Sequence, residues 1–340
     1  MNTARGEVMS GLDAAEEIKV VVVVYYHDDE RDGPMEGEFK HWIDRYGLSR
    51  RVPFPQGDHE LRKRDNGVLG IAAGIGVNTA TAAIMGLGMD PRFDFSKAYW
   101  LIAGVGGADP AVMTIGSVAI ARYVVDADKK HMLDPREMPE AWRFGTAPFG
   151  VTTEEFPEPV QDRYRSVFRL NGDLASWAWR QTRDIDLAGF LTPGDIAHRA
   201  RFSEDAAQGP PQVILGDILA GDNFWHGRMM TDWARAWVDY WTEDDGRFAI
   251  ACCEDCGALT ALTLLDRAGY VDFKRVIASR TASNFTCQWE GATAGESLAT
   301  EDVVELSGLN AALESAYAVG SRIVDQLVSH WDEYRDQMPS

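Results

Sequence analysis

The chain is short of positive charge, of cysteine and of long apolar runs, and each shortage excludes something. Over 340 residues, 33 Lys and Arg stand against 53 Asp and Glu, a formal net charge of -20. Such an acidic surface repels phosphate backbones. The densest basic run, Arg50-Arg51 with Arg62-Lys63-Arg64, is too short and broken to override that, so no nucleic-acid partner is expected. The longest unbroken apolar run, Val20 to Tyr26, falls far below the about 20 residues of a spanning helix, so no membrane insertion is expected. The opening MNTARGEVMSGLDAAEEIK lacks the apolar stretch of a secretory signal, which points to a cytoplasmic location. Only four cysteines occur, three of them at Cys252, Cys253 and Cys256. With Cys287 alone elsewhere, neither a disulfide framework nor a four-ligand zinc site can be assembled. Buried thiols and no metal are the expectation.

What is present is an alternation of strand and helix signals. Val20 to Tyr26 reads as a strand buried on both faces, as in a parallel sheet. Further strand signals lie at Val68 to Ala73, Tyr99 to Ala103, Ser117 to Val125, Val213 to Leu215, Phe248 to Cys252 and Val276 to Ser279. Helical patterns fill the gaps: an Ala-rich one ending near Gly88, then about Thr231 to Trp241, Gly257 to Ala268 and Asn310 to Arg335. Between Asp126 and Gln212 the texture changes, with many prolines, mixed charge, Trp177 and Trp179, and helical stretches near Asp173 to Arg183 and Asp195 to Ala207. This reads as an excursion from the sheet that caps a pocket, meets a partner subunit or joins the core. The expected fold is α/β, three layers with a central mixed twisted sheet between helices. Residues 18–335 form a single domain on this reading, after a loosely attached or disordered segment 1–17.

Unusual residues recur where strands end, which in open α/β sheets is where ligands bind. Asp28, Asp29 and Glu30 crowd the loop after the first strand. Gly74 and Gly76 open the Ala-rich helix, but Thr79 stands where a dinucleotide fingerprint needs its third glycine, so no cofactor is implied. Gly104-Val105-Gly106-Gly107 reads as a glycine-rich exit from the third strand. Gly221-Asp222-Asn223-Phe224-Trp225 brings aromatics that can stack on a planar ring or pack a core. Cys253-Glu254-Asp255 places two carboxylates at a helix start, where Asp255 also suits a cap. Arg280 to Phe285 forms one more exit.

In that order, Leu101 to Gly107, Ser117 to Tyr123, Gly221-Asp222, Glu254-Asp255 and Val276 to Phe285 resemble the nucleoside phosphorylase superfamily, and within it the purine nucleoside permease family. The resemblance runs from about residue 18 to 335 and implies a nucleoside phosphorylase-like fold. It further implies that Phe224 and Trp225 hold the base, with Asn284 on its edge and Ser283 and Arg280 beside it. Glu254 would accept ribose hydroxyls, and Gly104, Val105, Gly106, Asp222, Asn223, Cys253 and Asp255 would line the nucleoside. His27 and His226 are additional candidates for ribose contacts, or plain core or surface histidines. Superfamily relatives commonly complete the pocket across a subunit interface, which implies a homodimer or larger homo-oligomer.

Two departures from the family pattern bear on the chemistry. Many members carry Asp where this chain has Asn284, and an amide cannot donate a proton to the leaving base as an acid can. Phosphorolytic members usually carry Arg and Ser or Thr where Ile102 and Val105 stand. Acidic residues 28–30 would repel a phosphate dianion and would suit a base that deprotonates water. Cleavage of a purine nucleoside's N-glycosidic bond by water is therefore favoured, one of Asp28, Asp29 or Glu30 acting as base. Phosphate held by Arg31 and Arg280 is the alternative acceptor. A protein that binds nucleosides to aid uptake, without turnover, is the non-enzymatic alternative.

Overall fold

The computed structural model describes residues 14–27, 37–150, 154–157, 162–301 and 308–340. Every residue of the strand Val20–Val24 is buried, as covered faces on both sides require. Successive side chains point to opposite faces. Val21 and Val23 join a core with Ile71, Trp100 and Leu262, whereas Val20, Val22 and Val24 join another with Trp42, Leu101 and Val324. Helices Val77–Gly88 and Asp255–Arg267 cover the first face, and Leu309–Ser329 covers the second. The result is the expected three-layer α/β/α fold around a mixed sheet. Two glycines let the first pair of helices touch. A Cβ on Gly257 would stand 2.2 Å from the Val77 carbonyl oxygen, and one on Gly88 2.3 Å from Leu265.

Tyr99–Ala108 is the pivot of the sheet. Its first half pairs in parallel with Val20–Val24, which pairs in turn with Val68–Ala72. Along its length it runs parallel to Val276–Phe285, while its last residues meet Phe248–Cys252 in antiparallel fashion. From there the sheet continues through Asp217–Ala220 to Tyr123–Asp126.

Three departures from the strand expectations have physical causes. Gly104 to Gly107 is the second half of a strand and not an exit from it. These glycines serve close approach: a Cβ on Gly106 would lie 2.3 Å from the Ala251 carbonyl oxygen, and one on Gly104 2.5 Å from Arg280 Nη1. Val276–Phe285 likewise continues past Ser279, with its register shifting between Ala282 and Asn284. The single strand expected over Ser117 to Val125 is two, Val118–Ile120 and Tyr123–Asp126. At the break the buried Asp217 carboxylate accepts the N–H groups of Arg122 (2.9 Å) and Tyr123 (2.8 Å), and that of Arg247 at 2.8 Å.

Within the excursion, Lys130–Met132 pairs with Thr146–Pro148, and Val167–Arg169 adds an edge strand beside Tyr123–Asp126. Trp177 and Trp179 face the core. Trp177 packs edge-on to Tyr334 at 5.8 Å, and Trp179 donates its indole N–H to the Val213 carbonyl at 3.0 Å. In the N-terminal segment, Glu16–Glu17 pairs in parallel with Phe93–Asp94. No described helix is long and apolar enough to cross a membrane.

Candidate active site

A closed ring of hydrogen bonds joins the end of Val20–Val24, the middles of Tyr99–Ala108 and Val276–Phe285, and the start of the helix Asp255–Arg267. The Arg280 side chain projects from the middle of Val276–Phe285, is only 1% exposed, and has room because Gly104 opposite lacks a Cβ. Its Nη1 donates to the Val105 carbonyl at 2.9 Å. Nη2 donates to Glu254 Oε2 at 3.0 Å and Asp255 Oδ1 at 2.6 Å, and Nε to Asp255 Oδ2 at 3.2 Å. The Tyr25 hydroxyl donates to Asp255 Oδ1 at 3.0 Å, and its ring lies 4.7 Å beneath the guanidinium. Burial with a carboxylate neighbour drives the Tyr25 phenol well above its ordinary range, so it stays a donor.

Glu38 closes the ring. Its Oε2 accepts the N–H groups of Tyr25 (2.8 Å) and Tyr26 (3.1 Å), while Oε1 accepts that of Val105 at 2.7 Å. These are N–H groups at the end of the first strand and in the middle of the pivot strand. Burial raises the Glu38 carboxyl above the usual carboxylate range, against the opposing pull of Arg280 and the three N–H groups. The sequence reading missed this residue. Glu38 lies after the charged loop, in a stretch without a strand signal, and only the folded backbone brings it to Val105. Asp28, Asp29 and Glu30, and Arg31 with them, lie outside the described residues.

Asn284 and Ser283 sit at the register shift of Val276–Phe285. Ser283 Oγ donates to Asn284 Oδ1 at 3.2 Å or to the Gly106 carbonyl at 3.3 Å. A Cβ on Gly107 would lie 3.4 Å from Asn284 Oδ1, so the amide stands against the glycine half of the pivot strand. Phe224 is 87% exposed, a side chain with its apolar face unspent. Trp225 is half-buried against Trp233 and Phe248, with ring centroids 6.2 and 6.3 Å away.

Asp222 and Asn223 are organised by Asp128, another residue without a sequence signal. Asp128 Oδ2 accepts the Asp222 N–H at 2.6 Å, and Oδ1 accepts the Asn223 amide at 3.1 Å. Gly221 makes room, since a Cβ there would lie 2.8 Å from the Asp128 carboxylate. Asp222 Oδ1 in turn accepts the Val77 N–H at 2.7 Å and so occupies the N-terminus of the helix Val77–Gly88. The Gly76 turn thus approaches a carboxylate of the chain itself.

His27 packs edge-on to Phe39 and His59, at 5.7 and 5.4 Å. Burial lowers the His226 imidazole from its ordinary value. Burial also pushes the Cys253 thiol, next to Glu254, up to about 12, which makes it inert as a nucleophile. Among the described residues no three His, Cys, Asp or Glu groups are arranged to hold a metal ion. An open cavity of about 510 Å³ bounded by Ser203, Arg228, Gln288 and Trp289 contains none of these cluster residues.

In chemical terms, Arg280 spends four hydrogen bonds on protein acceptors. Glu254 uses Oε2 for Arg280, and its Oε1 accepts nothing from the described residues, which leaves an acceptor for hydroxyl donors. Three buried carboxylates, Glu38, Glu254 and Asp255, surround this single buried guanidinium. Such a site carries surplus negative charge and favours a developing cation over an incoming anion.

Residues 17–339 match the family model described as purine nucleoside permease (NUP). A probable purine nucleoside permease from Schizosaccharomyces pombe is 29% identical over 270 residues, covering 77% of this chain and 76% of that protein. A purine nucleoside permease from Candida albicans is 29% identical over 266 residues, 77% of this chain and 64% of its own length. Among solved structures, the futalosine hydrolase of Helicobacter pylori shares the fold at a TM-score of 0.54 and 12% identity, over 92% of this chain and 98% of that one. The 5′-methylthioadenosine/S-adenosylhomocysteine nucleosidase of Neisseria meningitidis, in complex with methylthio-immucillin-A, matches at 0.52 and 15%, over 91% and 99%.

Proposed function

The chain belongs to the purine nucleoside permease family, and from that premise we propose that it binds a purine nucleoside at the Arg280 cluster and cleaves its N-glycosidic bond with water. The observation that carries this reading is the charge of the cluster. Its one buried cation is already held by Val105, Glu254 and Asp255. A phosphate dianion would meet carboxylates in place of the arginine and hydroxyl donors it needs.

On this reading Glu254 Oε1 accepts ribose hydroxyls. Holding them beside a negative field stabilises the oxocarbenium-like charge that builds as the base departs. Phe224 stacks on the purine and Asn284 hydrogen-bonds its edge, which disperses charge on the departing base without protonating it outright. Glu38 takes the place first given to the acidic residues 28–30. A carboxyl raised above its usual range is a stronger base for water, and it lies at the same ring of hydrogen bonds as Glu254. Fold likeness to nucleosidases supports the class of reaction by analogy.

The relatives' name favours a second reading, in which the protein binds nucleosides and aids their uptake without turnover. Incubating the protein with a panel of purine nucleosides, with and without phosphate, and separating free base by chromatography distinguishes the two. Base released in phosphate-free buffer supports hydrolysis. Binding without release from any nucleoside overturns the enzymatic reading and leaves the binding one.

A further inference from the structure

Asp255 stands next to Glu254 in sequence yet plays a different part in the cluster. It is 0% exposed, at the first residue of the helix Asp255–Arg267. Both of its oxygens face Arg280, Oδ1 at 2.6 Å from Nη2 and Oδ2 at 3.2 Å from Nε, and the Tyr25 hydroxyl also points at Oδ1. Glu254 receives a single bond from the same guanidinium, on one oxygen only.

A guanidinium and a carboxylate pair most strongly as a two-pronged fork. With a single carboxylate beside it, Arg280 would engage both oxygens of that carboxylate and leave it no acceptor for a ligand. Here Asp255 occupies the fork. The Tyr25 hydroxyl, bonded to Oδ1, helps fix its rotamer. Gly104 leaves the room in which Arg280 reaches both partners, since a Cβ there would lie 2.5 Å from Nη1.

We infer that Asp255 is a positioning residue that takes the fork of Arg280 and thereby keeps one oxygen of Glu254 available to the hydroxyl groups of a ribose. It touches no ligand itself. The inference rests on the nucleoside reading above for its substrate, but the competition between the two carboxylates for Arg280 is a property of the chain alone.

The test uses Asp255→Asn, which keeps shape and loses charge, and titrates a purine ribonucleoside and its 2′,3′-dideoxy counterpart by calorimetry. In the variant Arg280 turns its fork to Glu254. Ribonucleoside binding weakens about tenfold, the scale of a charge-assisted hydrogen bond, and dideoxynucleoside binding is unchanged. Equal weakening of both ligands, or of neither, overturns the role of Asp255 and leaves nucleoside binding standing. No binding by the unmodified protein overturns the nucleoside reading instead, and a measurement without ligand then decides on Asp255. Glu254→Gln should lower the melting temperature more in the Asp255→Asn background than in the unmodified protein, because Glu254 there carries the whole fork. Additive losses overturn the inference. If Asp255→Asn does not fold, Arg280→Lys, which cannot fork and so cannot claim both oxygens of Glu254, should keep the ribose preference in the same titration, and a lost preference overturns the inference.

Discussion

Glu38 and Val105 are joined by a 2.7 Å hydrogen bond from the Val105 N–H to Glu38 Oε1, and the carbonyl of that same valine accepts Arg280 Nη1 at 2.9 Å. One residue in the middle of the pivot strand therefore spaces the buried Glu38 carboxyl from the buried Arg280 guanidinium. Neither charge can shift along the strand without displacing the other. Rigid spacing of this kind is what a site needs if it is to meet a transition state rather than follow it.

Glu254→Gln should cut kcat/KM for nucleoside cleavage by about a hundredfold, since it removes a charged acceptor opposite the developing cation. Its Oε2 contact with Arg280 survives as an amide oxygen, so the melting temperature should move little. Steady-state kinetics beside thermal unfolding checks both halves. Unchanged rates would remove Glu254 from the site.

The raised carboxyl of Glu38 sets a pH dependence with opposite signs for activity and stability. Because its folded value lies above the unfolded one, the folded protein keeps a proton where the unfolded chain has lost it. Its contribution to stability is present below the ordinary glutamate value of about 4.3 and is lost as pH rises through the folded value. The base form accumulates over the same window. The acid limb of the kcat/KM profile should therefore break above about 4.3, and Glu38→Gln should lower the plateau by about 10²- to 10⁴-fold. A profile flat across that window contradicts the assignment.

Phe224→Ala should leave unfolding unchanged, as the ring is 87% exposed. Stacking on a base is worth about 1–3 kcal/mol, so nucleoside affinity should fall about tenfold to a hundredfold. Equilibrium titration reads the affinity directly. A loss of stability with unchanged affinity would make Phe224 a packing residue.

Two neighbouring glycines should fail in different ways. A Cβ on Gly106 meets the Ala251 backbone at 2.3 Å, which cannot yield without parting two strands, so Gly106→Ala should lower the melting temperature severely. A Cβ on Gly104 meets the Arg280 guanidinium at 2.5 Å and Glu38 Oε1 at 2.8 Å, both side-chain ends. Gly104→Ala should keep more of its stability and lose turnover. Thermal unfolding and kinetics on the pair separate the two effects.

Asp217→Ala removes the acceptor of three backbone N–H groups at the point where Val118–Ile120 and Tyr123–Asp126 part. Orphaning buried N–H groups costs about 1–3 kcal/mol each where water cannot reach them. A loss of about 3 kcal/mol in denaturant unfolding is expected, with kcat of the folded fraction retained because the residue lies away from the cluster.

The layers of the fold were legible where apolar runs are long enough to be buried on two faces. Val20–Val24 and Val68–Ala72 fall on such runs. Glycines misled for a stated reason. Their meaning at 104 and 106 is room for Arg280 and Ala251, partners far away in sequence, whereas a local reading sees only a turn. The break at Arg122 was illegible because its cause, Asp217, is 95 residues away. In the candidate site, Glu254 and Asp255 were legible from their place between strand and helix, whereas Arg280, singled out at an expected strand exit, lies in mid-strand; the structure brings the three within hydrogen-bond distance. Glu38 and Asp128 were not, because each acts by accepting backbone N–H groups that only the folded chain presents.

On the proposed mechanism, a purine nucleoside held at the Arg280 cluster is cleaved by water. The most direct measurement of this is the identity of the sugar released alongside the base, with phosphate present in excess. Free ribose, formed at a rate indifferent to phosphate, is expected. Ribose 1-phosphate formed only when phosphate is supplied would contradict it.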